Sequence, residues 1–523
     1  MRRDLPGLLA AIVLLTCRCS PLKPTLSPPS LETTNRLATA DELLRLGCFD
    51  CLVDGLHEYD AIRTRANLPV TTVEAATIGS IRAALLLALR ARELGMAEED
   101  YLERANRVID AREDLEQRFS PLLEAIELTP FQLAGFDSVV DPGARRRMLA
   151  FREKLPAFFA EIGQHADRDP LSAYAWVAFM CTFGDDDDRK PEAVLAPLTE
   201  MRRTGIVTFR FTTCRGTDAR SVEDLLKREP RFAELNFFLG QQAVARLQLE
   251  EAESLFLRAY AWHAEWPAVT LALANLYFAF EEPEQALTFY DQTLAMVPGL
   301  ADAMLGRVKA LSLLRRHVKA FEAIDLMVGG PVRILPGEAY YWRAWNDLQV
   351  DRLEDAWIDI ESANHVWTSS EVMKLAGIIA YRRNDLGAAQ QRFEIASKLN
   401  PGDCEMAYYL GLVHAEQREW KRAADVFVAA ASCFETERRT LQNKIDAVRR
   451  SALADERKTR QIAKREQQMM TAGRLMATSS FNTAVAYFNL SSFDEARLYA
   501  EKVVDDDQFA DRARDLLRRL ESR

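Results

Sequence analysis

The chain has little glycine and little proline: 22 and 20 residues in 523, about 8% together, where roughly 12% is usual. That shortage excludes collagen-like and low-complexity chains, disfavours turn-dense all-β folds, and favours long uninterrupted helices. Histidine is scarce too. His57, His165, His263, His317, His365 and His414 never stand at His-x-x-x-His or Glu-x-x-His spacing, so no zinc hydrolase signature is present. There is no Gly-rich phosphate loop, no Gly-x-Ser-x-Gly elbow and no kinase motif set. The reading is therefore not an enzyme, with no cofactor and no metal expected. Excess positive charge is also missing. Lys and Arg number 67 against 78 Asp and Glu, a net charge of −11, and a protein that coats nucleic acid should be basic. No nucleic-acid partner is expected. What is present, 48% hydrophobic and 28% charged residues, suffices to bury a core.

The first segment reads as an address. Met1-Arg2-Arg3 is a short basic start, and Leu5 to Thr16 is an apolar run too short to span a bilayer. The run ends Leu14-Leu15-Thr16-Cys17, with Thr16 where a smaller residue is usual. This resembles the lipobox of bacterial lipoproteins, which implies lipidation at Cys17 and a membrane anchor in the cell envelope. Residues 1–16 are then the signal segment and 17–35 a Pro/Ser-rich tether (SPLKPTLSPPS over 20–30). An uncleaved N-terminal helix is the other reading. No later stretch approaches 18 consecutive apolar residues.

The body repeats. Segments beginning at Ala233, Pro267, Ala301, Gly337, Ser370, Cys404 and Ala477 are spaced by 34, 34, 36, 33, 34 and 73 residues. The twentieth place is always alanine: Ala252, Ala286, Ala320, Ala356, Ala389, Ala423 and Ala496. The eighth is small in six of seven: Gly240, Ala274, Ala344, Gly377, Gly411 and Ala484, with Val308 the exception. The twenty-fourth is large and apolar in six, from Phe256 and Tyr290 to Phe393 and Phe427. Two antiparallel helices approach closely only where facing residues are small. The large twenty-fourth residue is expected to fill the space against the next hairpin, and hairpins unable to bury an apolar face alone must stack.

This pattern resembles the tetratricopeptide repeat family. The resemblance implies an all-α, right-handed α-solenoid of helix hairpins that works by binding protein partners. It covers 232–433 as six repeats and 477–523 as a final hairpin with a capping helix. Arg307 and Arg343 depart from the leucine usual at the seventh place. Residues 36–231 read as degenerate hairpins: one turning at Gly47, one at Gly95, and one from Leu171–Phe183 to Pro191–Arg203. Ile206 to Thr212 (IVTFRFT) reads as a short strand.

Residues 434–476 read as a basic helical insertion. From Glu437 to Glu466 there are ten basic and five acidic side chains, and Arg438, Arg449 and Arg460 recur every 11 residues, on one face of a continuous helix. A solvated face is the first reading. A dock for an acidic partner or anionic headgroups is the second.

Cys48 and Cys51 read first as small packing residues, next as a local disulfide, and last as a redox or metal pair. Cys404 and Cys433, at the first and thirtieth places of one hairpin, are a possible disulfide, although helix axes about 8–10 Å apart work against it. Asp185 to Asp188 reads as a solvated loop.

The resemblance also places the first helix of each hairpin on the concave face. The inward places give a partner-binding groove of Phe237, Gln241, Asn275, Phe278, Lys309, Tyr341, Trp345, Tyr381 and Tyr408. Aromatic anchors with a few amide and cationic heads suit a partner's extended peptide or helix. Some family members clamp a C-terminal carboxylate with Lys at the fifth place and Asn at the ninth; no repeat here has both. The alternative reading is a ligand-binding lipoprotein of an uptake or export system, with a closed apolar pocket lined by tryptophan.

Overall fold

The computed structural model describes residues 30–128, 154, 156–183, 191–214, 219–329, 337–451, 453 and 455–521. The signal segment, Cys17, most of the tether and the run Asp185–Asp188 lie outside the described residues. Among the described residues every regular element is helical. The fold is the all-α arrangement of stacked hairpins expected. The chain divides into two units, Met1–Arg246 with Arg258–Ala268, and Leu247–Leu257 with Val269–Arg523.

Unit 1 opens earlier than the tether boundary at 35. Helix Leu31–Leu46 starts from Ser30, whose hydroxyl accepts the Thr33 N–H at 3.2 Å. It ends on Gly47 at φ +73°, and helix Phe49–Arg63 returns antiparallel. Helix Val70–Leu94 follows, long and apolar enough to cross a membrane by length and composition, contrary to the expectation of no such stretch. Most of it is buried among the other helices of the unit, Arg90 and Glu93 included. Two helices differ from the sequence reading. Pro191–Leu195 stops well before Arg203, because Pro197 removes a donor and disfavours helix at Ala196. The expected strand is helix Gly205–Cys214. Ile206, Val207 and Phe209 are fully buried there, and Arg210 reaches Glu93 at 2.9 Å, so tertiary burial overrides β propensity.

Arg90 and Glu234, both fully buried, pair directly, and Arg90 also donates to the Gly47 carbonyl at 2.7 Å. The guanidinium lies 3.6 Å from the Phe209 ring centroid. Tyr174 donates to Glu93. Burial raises the Glu93 and Glu234 carboxyls above their ordinary values, with Arg210 and Arg90 opposing. Removing one partner of such a pair strands a buried charge, which is why these residues read as cement.

Unit 2 carries the repeats: helices Pro267–Ala279 with Pro283–Met296, Ala301–Leu313 with His317–Gly329, Gly337–Gln349 with Leu353–Val366, and Ser370–Arg382 with Leu386–Leu399. Helix Cys404–Glu416 follows, then two long helices, Trp420–Arg450 and Asp455–Asn489, and last Phe493–Glu501 and Ala510–Glu521. The alanine column from Ala286 to Ala496 is fully buried. The large twenty-fourth residue behaves differently from the expectation. Phe393 lies on Gly377 and Phe427 on Gly411, each in its own hairpin, where a Cβ on the glycine would stand 2.6 Å from the ring. Phe393 also stacks on Tyr409 of the next hairpin at 5.3 Å, so it serves both contacts. The irregular seventh-place arginines are each matched by a carboxylate: Arg307 with Asp291 at 2.6 Å and Arg343 with Asp359 at 2.5 Å.

The shortage of glycine reappears at the turns. Each hairpin of the frame turns on a non-glycine residue in the left-handed region: Leu247, Glu281, Arg315, Asp351, Asn384, Arg418 and Ser491, at φ +56° to +62°. These are the fifteenth places of the seven repeats. A left-handed residue with a Cβ is strained, most of all a bulky apolar one such as Leu247, which is also 83% exposed. Leu247→Gly is expected to raise the unfolding free energy by about 1 kcal/mol. Glu281→Gly should gain less, since it also loses an ion pair to Lys464. Denaturant titration of the two variants beside the parent chain checks both the sign and the order.

Candidate functional site

Successive first helices of unit 2 pack on one another, from Ala301–Leu313 through Gly337–Gln349, Ser370–Arg382 and Cys404–Glu416 to the long helix Asp455–Asn489. Second helices contact each other less, so the row curves with its first helices inside. Lys309, Tyr341, Trp345, Tyr381 and Tyr408 stand on these first helices, and Asn275 and Phe278 on the first helix of the hairpin before them, Pro267–Ala279. Phe237 and Gln241 belong to unit 1. Phe237 is 1% exposed and packs on Trp266, ring centroids 4.8 Å apart, so it is a core residue and not a groove anchor. Gln241 is exposed.

The aromatic members are half-buried and linked edge to face. Tyr341 meets Trp342 and Trp367 at 5.5 and 6.1 Å, and Trp342 meets Trp345 at 5.8 Å. Tyr381 meets Tyr409, and Tyr409 meets Tyr408, at 6.2 and 5.6 Å. Burial pushes the Tyr341, Tyr381 and Tyr408 hydroxyls above their ordinary values, so they stay neutral. Asn275 is committed to the Tyr290 hydroxyl, which donates to it at 2.7 Å.

The cationic heads are already engaged. Lys309 reaches Glu338 of the next hairpin at 2.9 Å. Lys374 reaches Asp403 at 2.9 Å and Glu405 at 2.5 Å. These bonds tie neighbouring first helices. Glu338 and Glu405 keep about 40% of their side-chain surface exposed, which gives the aromatic face an acidic border. Sequence reasoning missed Asn346. It is fully buried, donates to Ser312 at 2.7 Å and the Trp342 carbonyl at 2.7 Å, and meets His317 at 2.7 Å. The His317 ring lies 5.9 Å from Trp345, so this network supports the groove aromatic from beneath.

The basic insertion is two antiparallel helices joined at Ser451, so Arg438 and Arg449 lie on one and Arg460 on the other, not on one continuous face. The acidic partner of its far end is the chain itself. Arg457 pairs with Glu253 through two bonds of 2.6 and 2.8 Å, reaches Glu282 at 3.2 Å, and lies 4.1 Å from the Phe280 ring centroid. Arg460 adds Glu282 at 3.0 Å and Lys464 adds Glu281 at 2.8 Å. Burial alone would raise the Glu253 carboxyl, but hydrogen bonds from Arg457 and Tyr277 bring it below its ordinary value. The hairpin that grows from the sixth repeat thus returns to the turns of the first two.

Cys404 and Cys433 are joined, with Cα atoms 5.4 Å apart. Each Cα stands about 2.3 Å off its helix axis, so facing residues on helices with axes about 8–10 Å apart can come within bridging distance, which the expectation overlooked. Cys48 and Cys51 are also joined, Cα atoms 4.9 Å apart and both fully buried, so the packing-thiol reading gives way to the local disulfide. Among the described residues no three His, Cys, Asp or Glu side chains converge as a metal site. A cavity of about 400 Å³ in unit 1 is lined by charged side chains, Arg82, Arg118, Glu161 and Asp169 among them, and by apolar ones, Phe119, Phe158, Ile162 and Leu171, with no tryptophan.

The tetratricopeptide repeat family model matches residues 271–339 and 375–437. The hairpins within 271–339 and 375–437 are tetratricopeptide repeats. Proteins with such repeats bind protein partners in general. Solved structures similar to this chain include a tetratricopeptide repeat protein from Parabacteroides merdae, 15% identical over 50% of this chain and 93% of that one, TM-score 0.35. PilF of Pseudomonas aeruginosa is 15% identical over 38% of this chain and 89% of its own, TM-score 0.34. The Cut9 and Hcn1 hetero-tetramer structure of the APC/C matches at 14% identity over 94% of this chain and 99% of that one, TM-score 0.40. No curated protein matches the chain.

One group of the central repeat titrates in an accessible range. Asp347 is buried beside Asp359; burial first, and the Asp359 charge second, push it up to about 6, with Arg352 and Arg343 opposing. An unfolded aspartate titrates near 3.9. The folded state therefore binds the extra proton between about pH 4 and pH 6, and the stability it confers is lost as pH rises through 6. Asp347→Asn is expected to flatten that part of the stability profile and to raise stability at pH 7, read by denaturation midpoints from pH 4.5 to 7.5.

Proposed function

We propose that this protein is a non-catalytic scaffold or adaptor that holds partner segments along the inner face of its tetratricopeptide repeats. The observation that carries this reading is the run of half-buried aromatics on successive first helices, Tyr341, Trp345, Tyr381 and Tyr408, inside an acidic border. Aromatic anchors in a pre-formed groove supply most of the binding energy in such interfaces. The lysines of the face are consumed by Glu338, Asp403 and Glu405, so the exposed surplus is negative. A partner segment with apolar side chains alternating with Lys or Arg complements it, as an extended strand or as one face of a helix.

The setting we infer is the bacterial cell envelope, with export through residues 1–16 and anchoring at Cys17. Two observations support it. The segment ahead of Cys17 has the length and apolarity of a signal core. Cys48, Cys51, Cys181, Cys404 and Cys433 are disulfide-bonded, and structural disulfides persist in oxidising compartments.

Crosslinked pull-down from membranes, read by mass spectrometry, tests the groove. Trp345→Ala with Tyr381→Ala should lose the partners captured by the parent chain, about tenfold or more in yield, while circular dichroism stays unchanged. An unchanged set of partners at unchanged yield would reject the groove.

A further inference from the structure

A cavity of about 950 Å³ opens at the root of the long hairpin, between Trp420–Arg450, Asp455–Asn489 and the segment that joins the last two helices. Its lining comes from both long helices and from the segment after Phe493–Glu501, and includes none of Tyr341, Trp345, Tyr381 or Tyr408. Its volume is far above that of an inorganic anion and within the range of organic ligand sites, about 300–1,000 Å³.

Three cations line it: Arg438, Arg474 and Lys502. Arg438 Nε is buried without a hydrogen-bond partner, a condition that protein interiors rarely leave standing. Gly473 lies opposite: a Cβ there would stand 3.5 Å from the same Nε, in ordinary contact, so a longer side chain at this place would reach the guanidinium. Arg474 is exposed and pairs with no carboxylate among the described residues, and Lys502 rests on the Tyr499 ring at 4.1 Å. The neighbouring acids are turned to other work. Glu435 faces Arg439 at 3.8 Å, and Asp506 accepts the N–H groups of Gln508 and Phe509 at 3.0 and 3.2 Å, closing the turn that precedes the last helix. Asp507 is exposed to solvent. The rest of the wall mixes apolar side chains, Met469, Met476 and Val503, with Ser432, Ser480 and Gln508, and Met470 at the rim is 60% exposed. Methionine adapts to tails of varied shape.

We propose that this cavity binds a free organic anion with an apolar tail, its carboxylate or phosphate head held by Arg438 and Arg474 and its tail laid on the methionine wall. Cation and apolar surface together select such a ligand over a simple salt ion and over a cationic amphiphile of equal length.

Isothermal titration of the full chain with decanoate, kept below its micelle concentration, tests this, with decyltrimethylammonium and acetate as probes of tail and head alone. Decanoate is expected to bind at one site, at least tenfold more tightly than either. Arg438→Gln with Arg474→Gln should weaken it about tenfold or more, while Arg449→Gln with Arg450→Gln, the same charge change outside the cavity, should not. Gly473→Gln, which fills the space before Arg438 and removes no charge, should weaken it as well. Equal binding of the two amphiphiles, or decanoate binding unmoved by the Arg438 and Arg474 pair, would overturn the proposal. Sedimentation with phosphatidylglycerol vesicles separates the sources of the head: capture by vesicles without saturable decanoate binding would overturn it in favour of a bilayer surface.

Discussion

Arg457 is the tie on which the geometry of the repeat unit depends. It joins residues about 200 positions apart, and it does so with most of its surface withdrawn from water, at 11% exposure against 17% for Glu253 and 8% for Glu282. Breaking a pair so placed leaves carboxylates uncompensated, a loss of about 3 kcal/mol or more. A stack of hairpins has only nearest-neighbour contacts to fix its curvature, so small errors accumulate along it. The long hairpin adds a contact between the first repeats and the sixth, spanning about 45–50 Å of helix. The inner aromatic face is presented at a set curvature because its ends are held.

Within each repeat the same few constraints recur. Alanine at the twentieth place lets two helices meet and a left-handed residue closes the turn, while in two repeats the glycine at the eighth place, Gly377 or Gly411, receives an aromatic ring. The chain accepts backbone strain at seven turns without glycine, and burial of the hairpin faces outweighs it. This is how a helical chain can be poor in glycine and still reverse direction so often.

The repeat was legible because close packing restricts residue type so strongly that alanine recurs in register from Ala252 to Ala496. The turn was not, since Leu247, Glu281, Arg315, Asp351, Asn384, Arg418 and Ser491 share a conformation and no side-chain chemistry. Ile206 to Thr212 misled because β-branched residues suit a strand when tertiary contacts are unknown, and here Arg210 and Glu93 decide the matter. Phe237 obeyed the groove register yet points into a core built with Trp266. The basic insertion was visible as charge. Its partners were not, because an acidic pair at Glu281 and Glu282 is ordinary surface until the fold brings Arg457 to it.

Hydrogen exchange read by mass spectrometry on Arg457→Ala tests the tie most directly. Loss of the contact should speed exchange both at 455–466 and at the turn 281–286, with the aromatic repeats 370–416 unchanged. Faster exchange at 455–466 alone, with 281–286 as protected as in the parent chain, would contradict the account.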